Sequence, residues 1–245
     1  MVVGKRIAVA CTLSGAAVLV GLIVTGWRIG WGPFAGLRDW EPDVSYIESR
    51  YDASSRKGEI VFYGMSNFTL WDQLDDDFPQ FKVQNHGFGG STDELLVKYA
   101  DRLLYPYEPA VVVFQTGSND YVNMAGSDDE KLKRCMAYKR EMYREFHEKL
   151  PNAKFVVMSG LLLPGRSEYT PLTQRVNEEL AALCSEHADY MTFVDASELT
   201  FDGSSYRTDL FRDDRIHLNH TGELAWRDGY ILPALDQVAP ASCRK

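Results

Sequence analysis

Val61-Phe62-Tyr63-Gly64-Met65-Ser66-Asn67-Phe68-Thr69-Leu70-Trp71 runs from an apolar, β-rich stretch through a tight turn into residues with helical spacing. A strand that ends in a glycine-bearing turn and passes straight into a helix opens a βαβ unit. The same change of rhythm recurs along the chain. Strands are predicted at Glu59–Tyr63, Phe81–Gln84, Ala110–Gln115, Lys154–Ser159 and Met191–Asp195. Helices are predicted at Asn67–Asp77, Thr92–Leu104, Asp129–Leu150, Pro171–His187 and Thr221–Gln237. In Thr92–Leu104, for example, Leu95, Leu96, Tyr99 and Leu103 fall on one face. This alternation implies an α/β fold: a parallel sheet covered on both faces, wound right-handed at each crossover.

The 245-residue chain is 45% hydrophobic and 12% aromatic, enough for one domain with a full core. Its 26 basic and 35 acidic residues give a formal net charge of −9, which argues against a nucleic-acid partner. Lys5 and Arg6 precede an uncharged run from Ile7 to Trp27, about the ~20 residues that a membrane-spanning helix needs. A cleaved secretory signal and an uncleaved anchor compete for this run. Cleavage calls for a small-residue site just after the apolar core, and the sequence there offers Trp27 and Trp31 as interfacial aromatics instead, which favours the anchor. The expected division is a signal anchor or transmembrane helix over residues 1–28, a linker with a short helix (Val44 to Arg56) over 29–57, and a domain over 58–245 placed outside the cytoplasm. Secretion after cleavage is the alternative. Ala8-Val9-Ala10-Cys11 resembles a lipoprotein box but precedes the apolar run, so Cys11 reads as a small apolar residue. Cys135, Cys184 and Cys243 lack zinc-ligand spacing, and no metal site is implied.

In open parallel sheets, ligands sit outside the carboxyl ends of the strands. Three strand ends are followed by polar or glycine-bearing turns: Gly64-Met65-Ser66-Asn67, then Asn85 to Thr92 (NHGFGGST), then Thr116 to Tyr121 (TGSNDY). Before the last helix stands Asp213-Asp214-Arg215-Ile216-His217-Leu218-Asn219. An Asp and a His three residues apart share one turn, so Asp214 can bond one imidazole nitrogen while the other faces a serine.

These four segments, in this order, resemble the SGNH (GDSL-type) hydrolase family from about Glu59 to the terminal helix. The wording around them is similar to its platelet-activating-factor-acetylhydrolase-like branch. The resemblance implies a flavodoxin-like three-layer sandwich of strand order 2-1-3-4-5 and cleavage of an ester through an acyl-enzyme without a cofactor. Carried over by motif, Ser66 is the nucleophile, His217 the base and Asp214 its orienting partner. The backbone N–H groups of Ser66 and Gly90 and the Asn119 side chain supply the oxyanion hole. The family's substrates imply a small-molecule, lipid or glycan ester, here a short acyl group on a carbohydrate or lipid. An acyltransferase to a sugar hydroxyl is the alternative within the same chemistry, and a silent membrane-tethered binding domain the one outside it. Met65 departs from the Asp that often precedes the nucleophile, removing a side chain able to bond neighbouring loops.

Each residue alone has a plainer reading. Ser66 is an ordinary helix N-cap, Gly90 and Asn119 are turn residues, and Asp214 is a solvated acid. The joint order favours catalysis. His147 and His187 read as surface residues on helices, and His220 as a rival base too far from Asp214 to share its turn. Phe68, His86, Phe88 and Tyr121 are candidate pocket residues, as is the segment Leu161–Arg166, within which Arg166 reads as a surface charge rather than a contact for an anionic substrate group.

Overall fold

The computed structural model describes residues 38–245. The anchor expected over residues 1–28 lies outside the described residues, as does the start of the 29–57 linker. Among the described residues no helix is long and apolar enough to cross a membrane. The helix expected from Val44 to Arg56 forms earlier, as Glu41–Arg50, with Val44 and Ile47 buried.

Five strands form one parallel sheet: β1 (Ile60–Gly64), β2 (Val83–Asn85), β3 (Val111–Gln115), β4 (Lys154–Met158) and β5 (Met191–Val194), in the order β2-β1-β3-β4-β5. Every residue of β1 and β3 is buried. That accounts for their near-continuous apolar character, since a strand covered on both faces has no solvent side to alternate with. The β2 strand begins later than its apolar run. Phe81 makes an antiparallel bridge to Arg244, and Lys82 N–H donates to the Cys243 carbonyl at 2.7 Å. The C-terminal tail therefore pairs with the chain just before β2, while within the edge strand the Val83 carbonyl accepts from Arg56 (3.0 Å) and the Asn85 N–H donates to the Tyr51 hydroxyl (3.0 Å).

The chain leaves β1 for β2 on one side and returns to β3 on the other, so β1 and β3 flank the point where strand order reverses. Gly64 pairs with Gln115 there. A Cβ on Gly64 would lie 2.4 Å from the Gln115 carbonyl oxygen, so glycine is required by the close approach of the two backbones.

Two predicted helices are interrupted. Asn67–Asp77 is two short turns, Ser66–Thr69 and Leu74–Asp77. The Phe68 carbonyl closes a tight turn with the Trp71 N–H (3.0 Å) and accepts the Asn85 amide as well (2.7 Å), and the Trp71 indole is bonded to Asp77 (2.6 Å). Thr221–Gln237 becomes His220–Trp226, a π turn at Arg227–Ile231, and Leu232–Val238. Pro233 has no N–H for the preceding turn, which accounts for the irregularity. The remaining helices, Asp93–Leu103, Asp128–Lys149 and Thr170–Glu186, lie close to expectation. Fully buried Trp226 stacks on Phe68 (5.6 Å between centroids) and Trp71 (6.2 Å), fastening the serine turn to the C-terminal segment. Cys135, Cys184 and Cys243 are buried free thiols.

The β1–β3 contact makes Gly64 the least replaceable residue of the turn. Gly64→Ala is expected to lower stability by about 1–3 kcal/mol through overpacking, seen as a lower denaturant midpoint at unchanged m-value. An unchanged midpoint would refute the constraint.

Candidate active site

Ser66 opens the first helical turn after β1, with Met65 in an extended conformation before it. Its Oγ lies 2.8 Å from His217 Nε2, and His217 Nδ1 lies 2.6 Å from Asp214 Oδ2. The other Asp214 oxygen accepts from the backbone N–H groups of Ile216 (2.9 Å) and His217 (3.0 Å). The intervening Arg215 takes the left-handed conformation at φ +59° that this tight loop demands. Burial alone would raise the Asp214 carboxyl, but hydrogen bonds from the His217 ring and from the two backbone N–H groups outweigh it and hold the group below its ordinary value. Asp214 is therefore ionised at neutral pH and fixes the imidazole with Nε2 toward Ser66. His220 bonds Glu223 (3.2 Å) instead.

Neighbouring backbone and side chains brace the serine turn where Met65 cannot. The Gly64 carbonyl accepts from Phe88 N–H (3.1 Å) and Ser91 Oγ (3.3 Å), Asn67 Oδ1 accepts from Leu218 N–H (3.3 Å), and Arg212 reaches the Leu70 carbonyl (2.6 Å). Met65 itself is buried and lines the site.

Asn119 follows β3 in the short helix Ser118–Val122. Its Nδ2 donates to the Ser91 carbonyl (3.0 Å), linking the turns after β2 and β3. Gly90 stands in the first of these turns at φ +77° and is exposed. Behind them Lys139, fully buried, donates to Asp93 Oδ2 (2.8 Å) and Thr116 Oγ1 (2.6 Å), while Asp120 Oδ1 accepts from Asp93 N–H (2.8 Å). This buried ion pair ties the helix Asp93–Leu103 to the end of β3.

A cavity of about 20 Å³ is lined by Ser66, His217, Asn119, Ser118, Gln115, Arg166 and the apolar Met65, Leu161, Leu163 and Ile216. Arg166 therefore belongs to the site rather than to the open surface. The aromatic pocket candidates do not line it. Phe68 stacks on Trp226, Phe88 packs between Tyr63 and Tyr99, and Tyr121 bonds Thr173 (2.6 Å), all three fully buried. His86 is also fully buried, between Tyr51 and Tyr107, with Nδ1 on the Leu103 carbonyl (2.6 Å). Burial pushes its pKa down to about 4, so it is a neutral core residue. Gln115 had a signal in the sequence, a polar residue ending an otherwise apolar strand. Lys139 and Ile216 had none.

Residues 54–225 match the GDSL-like Lipase/Acylhydrolase family. The chain belongs to that family. It is a serine hydrolase of the SGNH type. No curated protein matches it in sequence. Among solved structures, a Streptococcus pneumonia protein assigned as a platelet activating factor superposes with a TM-score of 0.67 at 19% identity, covering 90% of this chain and 98% of that one. A GDSL-like lipase from Bacteroides thetaiotaomicron gives 0.60 at 17%, covering 81% and 98%. An acetylxylan esterase of Geobacillus stearothermophilus, solved as a catalytic mutant, gives 0.56 at 16%, covering 77% and 98%. At such identities these likenesses establish a shared fold.

Asp120 provides a pH test of the buried network. Burial and the Asp93 charge, partly offset by Lys139, push its carboxyl up to about 7. The folded chain holds this proton more tightly than the unfolded one, so raising pH from the ordinary aspartate value of about 4 to about 7 removes stability, and above that the loss is constant. Asp120→Asn keeps an acceptor for Asp93 N–H and removes the slope. Its melting temperature relative to wild type is expected to rise between about pH 5 and about pH 8. A difference that stays flat over this range would contradict the assignment.

Proposed function

We propose that the enzyme is an acetyl esterase acting on a carbohydrate ester, with Ser66 as nucleophile, His217 as general base and acid, and Asp214 orienting the imidazole. The observation behind the triad is the continuous Asp214–His217–Ser66 hydrogen-bond chain at 2.6 and 2.8 Å. In this reading His217 Nε2 takes the hydroxyl proton as Ser66 Oγ attacks the ester carbonyl, and ionised Asp214 stabilises the imidazolium. His217 then gives that proton to the departing alcohol, leaving an acyl-enzyme. A water molecule deprotonated by the same nitrogen releases the acid. The oxyanion is held by the backbone N–H groups of Ser66 and Gly90 and by the Asn119 amide, each such donor typically worth on the order of 3 kcal/mol of barrier.

The acyl size follows from the cavity. About 20 Å³ admits roughly one water-sized group, which fits the methyl of an acetyl, and the walls at Met65, Leu161, Leu163 and Ile216 are apolar. Asn119 also lines a neighbouring cavity of about 340 Å³ where the exposed side chains of Glu94 and Asn123 are acceptors suited to sugar hydroxyls. The likeness to an acetylxylan esterase agrees with this class of alcohol. The uncharged run from Ile7 to Trp27 supports an extracytoplasmic enzyme tethered at the membrane.

For the full chain, kcat/KM for p-nitrophenyl acetate is expected to exceed that for the butyrate by roughly 10- to 200-fold, the usual discrimination for excess methylenes. Leu161→Ala should narrow the gap. Equal rates on the two esters would reject the acetyl assignment. Ser66→Ala and His217→Ala should abolish turnover while His220→Ala retains it, and a Ser66→Ala enzyme of wild-type rate would remove Ser66 from the mechanism. Product formed only when a sugar acceptor is present would replace hydrolysis by acyl transfer. After alkaline carbonate washing of membranes the chain is expected in the pellet, and its release would reject the tether.

A further inference from the structure

Arg166 approaches the site from the turn Pro164–Tyr169, which rests directly on the loop of the base. Gly165 N–H donates to the Arg215 carbonyl at 2.7 Å, and a Cβ on Gly165 would lie 2.9 Å from the carbonyl oxygens of both Asp214 and Arg215. From there the guanidinium crosses to the turn after β3. Its Nη1 donates to Ser118 Oγ (2.5 Å) and to Asn119 Oδ1 (3.0 Å). Both partners are neutral. Burial disfavours the charged guanidinium and lowers its pKa, against the opposing pull of Tyr121, Tyr169, Glu168 and Asp214.

The two ends of the Asn119 amide meet groups of opposite kind. Oδ1 faces Arg166, which can only donate, and Nδ2 faces the Ser91 carbonyl, which can only accept. Reversing the amide would set an NH₂ against a guanidinium and an oxygen against a carbonyl, losing both bonds. With one Nδ2 hydrogen on Ser91, the other remains for the cavity that Asn119 lines.

We propose that Arg166 is a positioning residue of the oxyanion hole: it locks the Asn119 amide with Nδ2–H available to the reacting carbonyl and polarises it through Oδ1. This rests on the reading of Asn119 as an oxyanion donor. Bonding a cation to Oδ1 draws electron density from the amide, making Nδ2–H a better donor as negative charge develops. Because that gain appears only in the transition state, it belongs in kcat and not in KM. The same turn holds the base loop through Gly165, so the two halves of the site are set against each other by adjacent residues.

The test uses the full chain and neutral p-nitrophenyl acetate. Arg166→Met is expected to lower kcat roughly 10- to 100-fold with KM changed less than about threefold, and Asn119→Ala to lower kcat roughly 100- to 1000-fold. The double variant should be no slower than Asn119→Ala, since Arg166 acts through Asn119. Arg166→Gln, whose amide donates to Oδ1, should recover part of the loss and keeps the comparison possible if the Met variant does not fold. Additive losses in the double variant would overturn the proposal, as would an effect confined to KM, which would make Arg166 a substrate contact. Full activity in Arg166→Met and Arg166→Gln beside a crippled Asn119→Ala would reject the proposal alone. An unimpaired Asn119→Ala would reject the oxyanion assignment on which it stands.

Discussion

The backbone contact between Gly64 at the end of β1 and Gln115 at the end of β3 is the constraint on which the rest depends. Parallel pairing brings the two strand ends level, and the missing side chain at Gly64 lets them close. Ser66 lies two residues beyond one end and Ser118 and Asn119 lie just beyond the other, so serine and amide face the same crevice without any long loop to hold them. The chain reaches this geometry because strand order reverses there, which leaves the crevice uncovered by a crossover helix.

Polar interactions between turns then convert proximity into fixed geometry. The Gly64 carbonyl accepts from the turn after β2, Asn67 accepts from the base loop, and Asn119 bonds the Ser91 carbonyl. Beneath them the Lys139–Asp93 pair sits where both charges lose their hydration, a situation in which the Coulombic gain does little more than offset desolvation. What the pair supplies is direction: Lys139 donates to Asp93 and Thr116, and so aligns the helix after β2 with the end of β3.

How much of this was legible depended on whether the cause lay near in sequence. The strand-turn-helix rhythm and the three-residue spacing of Asp214 and His217 are local, and they were readable. The break in the helix after Ser66 was not, because part of what holds it, the Asn85 amide on the Phe68 carbonyl, comes from seventeen residues away. Pro233 stood in plain view within the terminal helix, yet its consequence, a wide turn at Arg227–Ile231, depends on how neighbouring residues pack. Phe68, Phe88 and Tyr121 stand beside strand ends, but an aromatic ring there gains more from full burial than from lining a polar cleft. His86 followed the same logic once the Leu103 carbonyl supplied its one hydrogen bond. Arg166 looked like a surface charge because its partners, Ser118 and Asn119, are forty-eight and forty-seven residues distant.

The cavity walls and the supports of the serine turn and base loop share residues. Ile216 is at once a wall of the cavity, the donor of a backbone bond to Asp214 and the side chain on which Gly165 rests, its Cγ1 only 2.8 Å from where a Cβ on that glycine would sit. Met65 likewise lines the cavity while its carbonyl accepts the Phe68 N–H (3.0 Å) that starts the serine helix. Both bonds are made by backbone groups, so a smaller side chain at Met65 or Ile216 leaves them in place. Leu161 is different: it packs into the main core from the far wall and has no hydrogen bond to the catalytic loops of its own. In the proposed reading, volume removed at Leu161 enlarges the cavity from a residue outside both the serine turn and the base loop, so the Asp214–His217–Ser66 line keeps its length.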